Sequence, residues 1–182
     1  MAVSMQKELK RLLRLSPLIL FILVAVFSVF MSYFYAYHVI DSDISSELVL
    51  GKFLAEHHTI VSSDFMYPSE LRLFNSNLIY MPLFLITDNW QIVRFASSLI
   101  FQLLLTASYY YLSRQAGMSR RAFFLTSALM LLPVNIHYGR YILFMNFYTM
   151  AFIFSFLSVG LYLSIIRHRG GKWGWQIVRT AL

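Results

Sequence analysis

Apolar residues dominate long uninterrupted stretches of this chain, and the charges that break them divide it into segments of membrane length. Four uncharged intervals, 15–40, 95–113, 122–139 and 141–166, are each 18 residues or longer. At 1.5 Å per residue each is long enough as a helix to cross ~30 Å of hydrocarbon. A fifth stretch, Leu73 to Thr87, has only 15 uncharged residues and carries Asn75, Asn77 and Pro82; it is too short to span and predicts an interfacial or re-entrant helix. From Ser45 to His58 the residues Leu48, Val49, Phe53 and Leu54 are spaced for one helical face, with Glu47, Lys52, Glu56 and His57 elsewhere. That pattern predicts an amphipathic helix lying on the membrane, N-capped by Ser45 or Ser46. A turn through Ser62, Ser63 and Asp64 to Tyr67-Pro68 precedes a second interfacial helix from Ser69 to about Ile86, closed by Asp88-Asn89-Trp90 with the indole at headgroup level.

The expected architecture is therefore all-α and polytopic, with about four transmembrane helices and two interfacial amphipathic helices in the first external loop. One module covers 1–182: cytoplasmic 1–14, first span 15–40, external loop 41–94, second span 95–113, cytoplasmic loop 114–121, third span 122–139, fourth span 141–166 and cytoplasmic tail 167–182. If Leu73 to Thr87 does not span, eleven of the fifteen basic residues fall on one side, among them Lys7, Lys10, Arg11, Arg14, Arg114, Arg120, Arg121 and Arg167. Lys52, Arg72, Arg94 and Arg140 remain on the other side with seven of the eight acids. That asymmetry places the N-terminus in the cytoplasm, in an integral protein of the plasma membrane.

Composition agrees: 59% of residues are hydrophobic, 18% aromatic and only 13% charged, against about 25% charged in globular domains, and mean hydropathy is +0.64. The net charge of +7 is scattered between apolar runs and forms no basic patch, which argues against nucleic acid. Cysteine is absent, so no thiol nucleophile or cysteine-ligated metal is available. The basic N-terminus followed by an apolar run is similar to a secretory signal, but 15–40 is far longer than a signal core and ends in aromatic rather than small residues, which predicts an uncleaved helix.

Candidate chemistry concentrates at the exit of the first span. Asp41 and Asp43 lie one residue apart, followed by Glu47 and Glu70 on the two interfacial elements. Acids also mark ordinary helix exits, where charge is cheap compared with the bilayer centre. Here they build a polar pocket beside lipid in which Asp43 or Asp41 can act as a general base. Arg140 interrupts an apolar run from Ala122 to Ile166, so it sits at a membrane edge, in a cavity or against an anion; snorkelling and contact with a lipid phosphate both fit. Arg72 and Arg94 are further candidates for that anion contact. Adjacent His57 and His58 point about 100° apart on a helix and form no metal site, and no phosphate loop or Ser-His-Asp set is present.

The order of first helix, acidic motif Asp41-Ser42-Asp43, amphipathic helix, Tyr67-Pro68-x-Glu70, second interfacial helix and further helices resembles the N-terminal part of the GT-C class membrane glycosyltransferases, such as protein O-mannosyltransferases and aminoarabinose transferases. The resemblance covers nearly all of this chain and only the front of such an enzyme. It implies an all-helical fold, a polyprenyl-phosphate-linked sugar as donor, a glycan, lipid or protein acceptor, and an essential Asp in the first external loop, carried onto Asp43 first and Asp41 second. Tyr67, Glu70, Arg72, Arg94 and Arg140 would then line the substrate site. Where the family often places an acid a few residues after an Arg, this chain has Asn146 after Arg140, which weakens a two-carboxylate metal site. A divalent metal is left open and no cofactor is assigned. The implied reaction is transfer of sugar to an acceptor hydroxyl at the external face with inversion. A different class is a non-catalytic membrane subunit or transporter, its loop acids binding a cation or partner. A third is a front module of a longer chain, inactive alone.

Overall fold

The structure, a computed structural model, describes residues 2–40, 42–65 and 76–167, with side chains described from residue 15 onward. It is all-helical, with no strand among the described residues. The helices in order are α1 (Ala2–His38), α2 (Ser42–Glu56), α3 (Asn77–Phe84), α4 (Trp90–Gln115), α5 (Arg120–Leu131), the single turn α6 (Ile136–Tyr138) running into a π-helical segment (Gly139–Phe144), and α7 (Thr149–Arg167). Three helices are long and apolar enough to cross a membrane, at 15–38, 90–115 and 149–167, or four if α5 and the segment after it count as one bent span. The chain is thus built as an integral membrane protein.

Helix α4 is the hub. Its N-terminus is capped by Asn89, whose side chain accepts from the backbone N–H of Gln91 at 3.0 Å and Ile92 at 3.1 Å. Its C-terminus closes with Gly117 at φ +72°, where Met118 N–H reaches back to Ser113 at 2.9 Å and Gly117 N–H to Arg114 at 3.3 Å, the left-handed closure glycine permits. Along one side α4 runs antiparallel to α1, so that Arg94 meets residues 35–39 and Gln102 meets Ser28 and Ser32. Along another it runs parallel to α7: Tyr109 packs on Phe156 with ring centres 5.3 Å apart, and Gly160 lies against Tyr111 and Leu112. Helix α5 starts at its cap Ser119 and packs back along α1 through Phe21 and Phe124.

One core cluster joins these helices through Val24, Phe101, Leu105, Ala128, Leu131, Leu143, Phe144 and Ile153. A second joins Ile44, Leu48 and Ala55 of α2 to Tyr80 and Phe84 of α3, Val93 of α4 and Met145.

The expected third and fourth spans are divided differently. Helix α5 stops at Leu131; Pro133 and Asn135 end it, and Ile136–Phe144 leaves at a bend of 92°. A proline withholds an N–H and disfavours helix for the residue before it, so the uncharged run 122–139 does not make one straight helix. Residues 141–144 belong to the bent segment, 145–148 turn the chain, and α7 begins only at Thr149. The helix expected from Ser45 begins at Ser42, and Ser46 donates instead to the Asp43 carbonyl at 2.7 Å, inside the first turn. The face of α2 also differs: Ile44, Leu48, Gly51, Leu54 and Ala55 are buried, largely against α3, while Val49 is exposed. Of the second loop helix, α3 is the described part; 66–75 lies outside the described residues, as does the tail from 168.

Candidate functional site

The acidic end of the bundle is assembled by α2, α3, the first turns of α4 and the turn that follows the π-helical segment. Asp43 lies in the first turn of α2, where the N-terminal dipole favours a carboxylate. It is exposed and makes no ion pair among the described residues. Its neighbour Ile44 is buried in the same cluster as Met145 and beside the partly buried Phe147. The start of α2 and the turn after Arg140 therefore share one packing unit. Asp41, Tyr67, Glu70 and Arg72 lie outside the described residues.

Arg140 is half-buried and its guanidinium lies over the Tyr141 ring, 5.5 Å from the ring centre. The segment that bears it is held by polar side chains of α4. A π-helical turn leaves carbonyls off the ordinary ladder, and in an apolar surrounding each needs a donor. Ser98 donates to the carbonyls of Leu143 at 3.2 Å and Phe144 at 3.1 Å, and Gln102 adds a bond to Leu143 at 3.2 Å. The same Gln102 donates to Ser32 at 2.7 Å and accepts from Ser28 at 3.1 Å. One amide thus ties α1, α4 and the Arg140 segment together. Thr149 closes the far side by donating to the Ile142 carbonyl.

Arg94 has a different place from Arg140. It is 8% exposed, and its guanidinium donates from Nη1 to the Ala36 carbonyl at 2.9 Å and from Nη2 to the Tyr35 carbonyl at 3.0 Å. Nη2 also donates to the Val39 carbonyl. They lie at and just past the α1 C-terminus, where carbonyls run out of ladder donors; that of Tyr35 also accepts the Val39 N–H at 3.2 Å. A cation in the second turn of α4 opposes that helix's own dipole by less than about 1 kcal/mol, but each charge-assisted bond to α1 is worth about 1.5–3 kcal/mol. The α1 end wins. The fork proposed from sequence for a phosphate is directed at backbone.

Between these arginines lies a buried polar cluster that sequence periodicity does not reveal. Ser76 donates to the Glu47 carboxylate. The Tyr80 phenol is wholly buried near Glu47, Arg94, Ser97 and Asn146; burial first, and the Glu47 charge second, push it above its ordinary value of 10.0. Asn146, 1% exposed, adopts φ +62° directly after the π-helical segment. Asparagine tolerates that left-handed conformation better than most residues, so the residue standing where the family pattern has an acid also meets a backbone demand. The only sequence signal for this cluster was polar residues inside apolar stretches.

On the α1 side of the bent segment an apolar groove of about 310 Å³ opens between Phe27, Met31 and Tyr35 and the residues Pro133, Ile136 and Phe144. No group of three or more His, Cys, Asp or Glu able to hold a metal occurs among the described residues. Compared with protein-family models, curated proteins and solved structures, the chain matches none.

Proposed function

We propose that the chain is the lipid-facing front module of a GT-C type glycosyltransferase, moving a sugar from a polyprenyl-phosphate donor to an acceptor hydroxyl at the outer face of the plasma membrane, with its N-terminus in the cytoplasm. The observation that carries this reading is that the helix start bearing the exposed Asp43 packs, through Ile44, in one cluster with Met145, five residues after the half-buried Arg140, while an apolar groove opens beside the bent segment that carries this arginine. A lipid-linked donor requires that combination: hydrocarbon for the chain, a cation for the phosphate and a base at the water edge. In this reading the groove takes part of the polyprenyl chain and Arg140 steadies the phosphate. Asp43 accepts the hydroxyl proton as the acceptor oxygen bonds to the anomeric carbon and the sugar–phosphate bond breaks, with inversion. The phosphate leaves as a stable anion, so no general acid is needed.

Asn146 favours a second reading, a non-catalytic membrane subunit that binds the lipid or a partner without transfer, because it offers an amide where the family pattern has a second carboxylate. Substituting Asp43→Asn separates the two. Transfer of labelled sugar from a polyprenyl-phosphate donor is expected to fall at least about 100-fold, while the exposed position leaves the melting temperature within about 1 °C. Unchanged transfer in Asp43→Asn and in the Asp41→Asn/Asp43→Asn pair removes the base assignment.

A further inference from the structure

Asp43 stands in the first turn of α2, and only three residues separate the end of α1 at His38 from the start of α2 at Ser42. A linker that short passes on any movement of the α1 end. That end is held across the bundle by Arg94, which reaches the carbonyls of Tyr35, Ala36 and Val39, the last of them inside the linker itself. The planar fork matters here. It presents paired donors in fixed geometry, whereas a lysine ammonium is a point charge on a flexible stem.

We propose that Arg94 is a positioning residue: by capping the carbonyl end of α1 it fixes where the start of α2 with Asp43 stands relative to α4, and it acts on the chemistry of the site through Asp43 without touching substrate. The placement is independent of any activity; its catalytic consequence rests on the reading of Asp43 as the base. The α1 end reaches α4 through Arg94 and the Arg140 segment reaches it through Ser98 and Gln102, while Ile44 beside Asp43 packs in one cluster with Val93 of α4 and Met145. Loss of Arg94 frees the α1 end, and with it the entry to α2, leaving Asp43 held by the apolar packing of Ile44 alone.

The absence of cysteine makes a clean distance measurement possible. Nitroxide labels at Ser42→Cys and Ala116→Cys, both exposed and near opposite ends of the bundle, are to be compared in the full chain reconstituted in lipid nanodiscs. A single narrow distance population is expected in the parent. Arg94→Met should at least double its width, and Arg94→Lys should lie between. Gln102→Leu, which removes the other buried tie between α1 and α4, serves as a comparably destabilised control and should leave the width unchanged. If Arg94→Met fails to fold, Arg94→Lys carries the comparison. An unchanged width in the Arg94 variants overturns the proposal, and so does equal broadening in Gln102→Leu.

In sugar transfer from a polyprenyl-phosphate donor, Arg94→Met should lower kcat about 100-fold with KM within about twofold, the signature of misplacement rather than lost binding. A raised KM with kcat intact makes Arg94 a phosphate ligand and overturns the proposal. If the parent protein transfers no sugar, the transferase reading falls and the distance comparison alone decides the role of Arg94.

Discussion

Two interfaces of this bundle solve the same packing problem in different surroundings. Where α4 runs beside α7, Gly160 lets the helices approach until a Cβ there would meet the Tyr111 ring at 2.7 and 2.8 Å and the Leu112 Cα at 3.3 Å. Where α2 meets α3, Gly51 does the same, and its missing Cβ would stand 2.7 Å from the Tyr80 Cβ and 3.2 Å from the Asn77 Oδ1. The first contact lies between apolar spans, where lipid competes with protein for apolar surface and close packing itself has to hold the helices. The second joins two helices outside the membrane-length set, α2 and α3, where Ile44, Leu48 and Leu54 are buried together with polar groups such as Ser76 and Asn77. A seam of dispersion tolerates small adjustments. A platform of buried polar groups does not.

The contrast is sharpened first by the two glycines. Gly51→Ala sets a methyl against the root of the Tyr80 side chain, which cannot swing away, and should cost about 3 kcal/mol, read as loss of the cooperative thermal transition of α2 and α3 in hydrogen exchange. Gly160→Ala meets a tyrosine ring that can rotate, so about 1–2 kcal/mol is expected by the same measure; an equal cost at both sites refutes the distinction.

Next in size is the pH dependence of the platform. The folded state holds the Tyr80 proton above the ordinary phenol value of 10.0, so the native state binds more protons than the unfolded one once the pH exceeds that value. Stability is then insensitive to this group through neutral pH and falls as pH rises above about 10. In Tyr80→Phe that alkaline loss should shrink, visible as a flatter melting profile between pH 9 and 11.

The smallest effect belongs to Lys52, which pairs with Glu56 at 3.8 Å and with the largely exposed Asp88 at 3.3 Å and lies 5.8 Å from the centre of the Trp90 ring. Lys52→Met should change stability by less than about 1 kcal/mol, with most of that change removed by salt.

Hydropathy alone made much of the bundle readable. The uncharged runs 15–40 and 95–113 lie within or close to α1 and α4, and the polar and short run 73–87 contains α3, which at eight residues cannot span. The Asn89 and Ser119 caps stood in the sequence at the helix starts they serve. What periodicity could not carry was partnership across the chain. Nothing local to Arg94 tells that its guanidinium meets carbonyls 55–59 residues earlier, and nothing local to Gln102 names Ser28, Ser32 and Leu143. The break at 132–135 is signalled by Pro133 and Asn135, but an apolar window averages over them, so a straight helix is expected over 122–139 where the chain bends by 92° after Leu131.

The brevity of α5 has a consequence for the surrounding lipid. Its twelve residues give a straight rod of about 18 Å, well short of the ~30 Å of oil it would have to match. A bilayer accommodates a short embedded element by thinning around it, at only fractions of a kcal/mol per Å of mismatch. Where α5 lies in the membrane, that thinning brings headgroups and water toward the exposed amide of Asn135 at its end, and the bend after Leu131 meets water sooner than a full-length helix end would.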